Sequence, residues 1–95
     1  MPTQQLAADL CRALATEMRE VQALIEALAE VLIADEGVAS RFVGQLQNFD
    51  LLAQTVAESA GVLDRLAGGD CVHSAVDQVR LERMQARLRA VLRAA

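Results

Sequence analysis

Residues 11–67 read CRALATEMREVQALIEALAEVLIADEGVASRFVGQLQNFDLLAQTVAESAGVLDRLA. Every seventh position from Cys11 is small or apolar: Cys11, Met18, Ile25, Leu32, Ala39, Leu46, Ala53, Ala60 and Ala67. A second series keeps step with it through Ala7, Leu14, Val21, Leu28, Phe42, Phe49, Val56 and Leu63, interrupted at Asp35. A heptad with both seam positions filled produces helices whose apolar stripes must be covered by other helices. The fold class is therefore all-α, with coiled-coil-like packing.

The interruption decides the topology. Asp35-Glu36-Gly37 either lies within one rod of about 60 residues, some 90 Å long at 1.5 Å per residue, or turns the chain back on itself. Asp is a poor seam residue and a good turn residue, so the reading adopted is a long antiparallel hairpin. Its first arm spans about 3–34, with Thr3 as N-cap, and its second about 38–67. Folding at residues 35–37 sets Met18 opposite Ala53, Cys11 opposite Ala60, Val21 near Phe49 and Leu32 near Ala39. Large side chains then face small ones, as closely approached helices require. Gly68 and Gly69 end the second arm, since glycine accepts the left-handed conformation found just past many helices. A third, shorter helix covers about 74–94, capped by Asp70 or Ser74. The whole is expected to be one domain, 1–95.

Composition narrows the function classes. The 95 residues are 54% hydrophobic but contain no Trp or Tyr and two Phe, so the core must be thin and rich in alanine. No run of about 18 apolar residues is present and no secretory signal is apparent, so a cytoplasmic protein without membrane insertion is expected. Cys11 and Cys71 have no CxxC spacing and read as reduced thiols. His73, two residues from Cys71, offers at most two of the four ligands of a structural zinc site and reads as a loop histidine. No metal or cofactor is expected.

Charge is distributed unevenly. Residues 1–77 carry twelve acids against Arg12, Arg19, Arg41 and Arg65, a net −8; residues 78–95 carry five arginines against Glu82, a net +4. In the third helix Arg80, Arg83 and Arg87 flank one edge of the stripe Leu81, Met84, Leu88, Val91 and Leu92, with Arg89 and Arg93 on the other. The expectation is that these arginines lay their stems along the stripe and meet carboxylates of the acidic hairpin. Nucleic-acid binding is disfavoured by a pI near 4.8, the absence of lysine and the lack of aromatics to stack bases.

One segment carries candidate chemistry. In Leu46-Gln47-Asn48-Phe49-Asp50-Leu51-Leu52-Ala53-Gln54, the residues Gln47, Asp50 and Gln54 fall three and four apart on one flank of a helix. This stretch resembles the active helix of CheZ-type chemotaxis phosphatases, in which an Asp-Leu-x-x-Gln run comes after a Phe on a long hairpin that dimerises as a four-helix bundle. The matching residues are Asp50, Leu51 and Gln54; Leu52 and Ala53 stand where the family has Thr-Gly. The resemblance implies that Gln54 orients water at the aspartyl phosphate of a response-regulator receiver domain while Asp50 engages a receiver lysine. Any Mg2+ would belong to that partner. Positioning of this kind is what phosphoryl transfer asks of a protein.

The leading expectation is a helical protein-interaction and regulatory module without small-molecule chemistry of its own. Gln47, Leu51, Leu52, Arg80, Arg83 and Arg87 are its candidate partner-binding residues. Because a third helix of about 20 residues spans only two-thirds of a 30-residue arm, part of the hairpin should remain open, and a homodimer is expected to close it.

Overall fold

A computed structural model describes residues 3–94, which form five helices and no strand among the described residues. Helix α1 spans Thr3–Ile33, α2 Glu36–Arg41, α3 Val43–Ala67, α4 Val72–Asp77 and α5 Glu82–Ala94. The chain folds as a hairpin of α1 against α3, all-α as its periodicity requires. Thr3 is the first residue of α1, so the cap that precedes it lies outside the described residues.

The turn is longer than the sequence implies. Asp35 does act as a turn residue: its Oδ1 accepts the backbone N–H of Val38 at 3.2 Å, capping α2. The helix that starts there runs for only six residues. At Phe42 the backbone leaves helical geometry (φ −125°, ψ 33°), with the Arg41 guanidinium 5.9 Å from the Phe42 ring centroid, and α3 begins at Val43. The expected single arm over 38–67 is thus a short turn helix and then the arm itself.

This longer turn moves the pairing by one heptad. Cys11 lies with Leu66 and Ala67 rather than Ala60. Met18 lies with Ser59, Val62 and Leu63, which bracket Ala60 rather than Ala53. Arg12 Nη2 donates to the Ala67 carbonyl at 3.0 Å, and Arg19 Nη2 pairs with Asp64 Oδ2 at 2.5 Å. The slip preserves the pattern of large against small because both series repeat every seven residues.

The seam itself differs on α1. On α3 it keeps the expected series, with Ala53, Ala60 and Ala67 buried and Leu46, Phe49, Val56 and Leu63 half-buried. On α1 the series Cys11, Met18, Ile25 and Leu32 turns inward as expected, but its companion is Ala8, Ala15, Gln22 and Ala29. Ala15 is wholly buried, whereas Leu14, Val21 and Leu28 are left exposed. Alanines on both sides of a contact let helix axes approach toward the short end of the usual 8–10 Å range. The seam so formed buries small side chains and leaves the larger ones of α1 outward.

Gly68 and Gly69 end α3 as expected. Asp70 N donates to Arg65 O at 3.0 Å and Gly69 N to Leu66 O at 3.2 Å, the paired bonds of a Schellman ending, with Gly69 at φ +99°. The C-terminal part departs from the expected single helix over 74–94. Cys71, not Asp70 or Ser74, caps α4, its Sγ accepting from Ser74 N at 3.4 Å. A break over residues 78–81 then separates α4 from α5. Side chains fasten this corner. Arg65 on α3 donates through Nε and Nη2 to the Ala75 carbonyl at 3.1 and 2.7 Å. Glu58 Oε1 accepts the Arg80 backbone N–H at 2.6 Å. Arg89 bridges back to Asp77 Oδ1 at 2.8 Å. Ala75, Val76, Val79 and Met84 are buried beneath it.

Candidate functional site

Two surfaces stand out, and neither is the polar strip of α3. The first is the outward face of α1. Leu10, Leu14, Val21, Leu24, Leu28 and Val31 succeed one another at spacings of three, four and seven, with Glu17 at the intervening position. All six apolar residues are exposed, Leu24 to 71% and Val31 to 70%. The spacing alternates three and four residues, so these side chains form a second straight stripe beside the buried one, about 32 Å long. Sequence periodicity contained this stripe, since Leu14, Val21 and Leu28 belong to it. Their exposure results from the choice of alanine for the inner seam.

The second surface is a groove of about 350 Å3 between α3 and α5. Leu51, Thr55, Leu81 and Met84 supply its apolar floor, and Arg80, Arg83 and Arg87 stand around it. Thus the structure brings together four of the candidate partner-binding residues, Leu51 and the three arginines. The expectation that these arginines meet carboxylates of the hairpin does not hold. Among the described residues their guanidinium groups make no ion pair or hydrogen bond, while Arg12, Arg19, Arg65 and Arg89 bind other elements of the fold. The reason is geometric. The break at residues 78–81 turns α5 so that Arg89 reaches back to α4, leaving the opposite edge outward.

Gln47, Asp50 and Gln54 lie exposed on α3, and none of the three side chains hydrogen-bonds among the described residues. Asp50 and Gln54 are one turn apart on a continuous helix, and neither lines the groove to which Leu51 belongs. Leu52 is exposed beside them. His73 and Cys71 are both exposed, and no group of three or more His, Cys, Asp or Glu side chains is placed to hold a metal ion among the described residues. The open end of the hairpin forms a wider concavity of about 710 Å3, lined by Gln4, Gln5, Ala8, Cys11, Leu66 and Gly69, with no charged side chain on its wall among the described residues.

Among the described residues no helix is long and apolar enough to cross a membrane. No protein-family model, curated protein or solved structure matches the chain.

Proposed function

We propose that this chain is a helical protein-interaction module that associates with a second copy of itself through the outward stripe of α1. The observation that carries this reading is the amount of surface left uncovered. The chain exposes 6720 Å2, against about 5,300 Å2 for a compact monomer of this mass. Its shortest dimension is 16 Å, so much of the hairpin is a single layer of helices, and helical domains bury their stripes by adding a second layer. Among the described residues no large side chain is fully buried in the monomer.

The stripe has the size and pattern for this purpose. Six side chains at about half to two-thirds exposure offer roughly 600 Å2 per chain. Two copies then reach the lower bound of a stable interface, about 1,200 Å2. Heptad spacing calls for a helical partner. An antiparallel two-fold pairing centred at Val21 sets Leu10 against Val31, Leu14 against Leu28 and Glu17 against Leu24, whereas parallel pairing sets Glu17 against Glu17 and is disfavoured by like charge. The free thiols of Cys11 and Cys71 suit a reducing, cytoplasmic setting.

Sedimentation equilibrium across a hundredfold range of concentration tests the reading. The expected result is a mass rising from 10.2 kDa to twice that value, and Leu24→Gln with Val31→Gln holding the chain at the lower mass with unchanged helix content. A monomer mass at every concentration refutes it.

A second reading, assisted dephosphorylation of a receiver domain, is supported by the free, outward-facing Asp50 and Gln54 one turn apart, since groups inserted into another protein's site must be unpaired in their own. Under this reading Gln54 holds the water, Asp50 engages the receiver lysine and the receiver supplies Mg2+. Accelerated loss of phosphate from a phosphorylated receiver, abolished by Gln54→Ala, is the expected result.

A further inference from the structure

We infer that the groove between α3 and α5 is a docking site for an acidic helical peptide carrying a bulky apolar residue. Nine arginines supply all the basic side chains of this acidic protein. Four of them are committed within the fold: Arg12 and Arg19 to α3, Arg65 to α4, and Arg89 to Asp77. Arg80, Arg83 and Arg87 are not, and all three surround the same groove, where Glu82 is the single carboxylate on the wall. Three unpaired guanidinium groups repel one another, and a ligand that brings carboxylates relieves that repulsion while gaining charge-assisted, fork-shaped hydrogen bonds.

The floor sets the remaining requirement. Leu51 is 55% exposed, and with Leu81 and Met84 it forms an apolar base between the charges. An apolar anchor with flanking carboxylates satisfies both features, and Arg83 and Arg87, about one turn apart on α5, fit a short helical segment better than a 30-residue arm. Nucleic acid is a poorer occupant. The groove offers no aromatic side chain to stack a base, and the surrounding protein is acidic. This site is separate from the α1 stripe, so the two readings stand or fall independently.

The test uses the full chain and a fluorescent peptide with Leu and Glu in a helical repeat, beside a counterpart with Gln for every Glu. Fluorescence anisotropy is expected to show at least tenfold tighter binding of the acidic peptide, weakening as salt is raised. Arg83→Gln with Arg87→Gln is expected to lower that affinity about tenfold, while Arg93→Gln, outside the groove, leaves it unchanged. Circular dichroism should give the same helix content for all three proteins, because Arg83 and Arg87 make no internal bonds among the described residues. Equal binding of the two peptides, or affinity indifferent to the Arg83 and Arg87 changes, overturns the inference. So does tighter binding of duplex DNA or of anionic vesicles than of the acidic peptide, or loss of self-association rather than of peptide binding in the double variant.

Discussion

Leu14 and Ala15 are chain neighbours with opposite surroundings, and exchanging their sizes separately tests the inner seam. Ala15 is 0% exposed, while Leu14 is 45% exposed. Ala15→Leu adds three carbon atoms at a wholly buried position of α1, so α1 and α3 must separate or the new side chain must leave its preferred rotamer. Overpacking of this kind costs about 1–3 kcal/mol. The helix propensities of the two residues are close enough to add little. At 4–8 °C per kcal/mol for a domain of this size, a 2 kcal/mol loss lowers Tm by about 8–16 °C. Leu14→Ala removes the same atoms from a position that already faces water and leaves no internal cavity, so about 1 kcal/mol or less is lost, against 2–5 kcal/mol for a buried leucine. Urea unfolding monitored by helix ellipticity, in protein dilute enough to suppress association, gives both values with a common slope. If Leu14→Ala proves the more damaging change, the companion series on α1 is Leu14, Val21 and Leu28 after all, and the outward stripe does not exist.

Four further outcomes are expected. Gly69→Ala should lose about 1–2 kcal/mol, because Gly69 holds a left-handed φ of +99° that disfavours a Cβ. Gly44→Ala, which meets no neighbour within 4 Å in the first turn of α3, should gain up to about 0.5 kcal/mol; paired thermal melts distinguish them. Arg65→Met retains the aliphatic stem but removes both bonds to the Ala75 carbonyl, so amide hydrogen exchange over residues 72–79 should quicken and stability fall by about 1–2 kcal/mol. Gln54→Ala, on a solvent-facing position without side-chain bonds among the described residues, should leave the urea midpoint unmoved, so any loss of receiver dephosphorylation in that variant belongs to the site and not to the fold.

The heptad and the glycine stop were legible because each is a local rule. Periodicity alone places Cys11, Met18, Ile25 and Leu32 inward, and Gly69 is where a left-handed residue is needed. The companion series was not legible, since both Leu14 and Ala15 flank that inward line. Hydrophobicity favours the former, and only the closeness of α3 selects the latter. The break between α4 and α5 lacks a local signal as well. Asp77-Gln78-Val79-Arg80 contains neither glycine nor proline, and the Arg80 N–H is satisfied by Glu58 from another helix. A side chain 22 residues away thus substitutes for a helical carbonyl. The candidate groove inherits this difficulty: Arg80, Arg83 and Arg87 are visible as a cationic edge, but their lack of internal partners depends on how α5 is turned.

The one-heptad shift in pairing also bears on how the chain reaches its fold. Met18 falls opposite a stretch centred on an alanine at either register, Ala53 or Ala60, and Cys11 likewise opposite Ala60 or Ala67, so the two hairpins differ little in what their seams bury. The repeat creates a near-degenerate competitor that the core cannot reject. Discrimination falls to the turn and the C-terminal corner: the six residues of α2 measure out the longer loop, and the Ala67 carbonyl reached by Arg12 is present only at the adopted register. Shortening the turn by about one heptad would remove that gauge, leaving two hairpins of similar energy to exchange within one population.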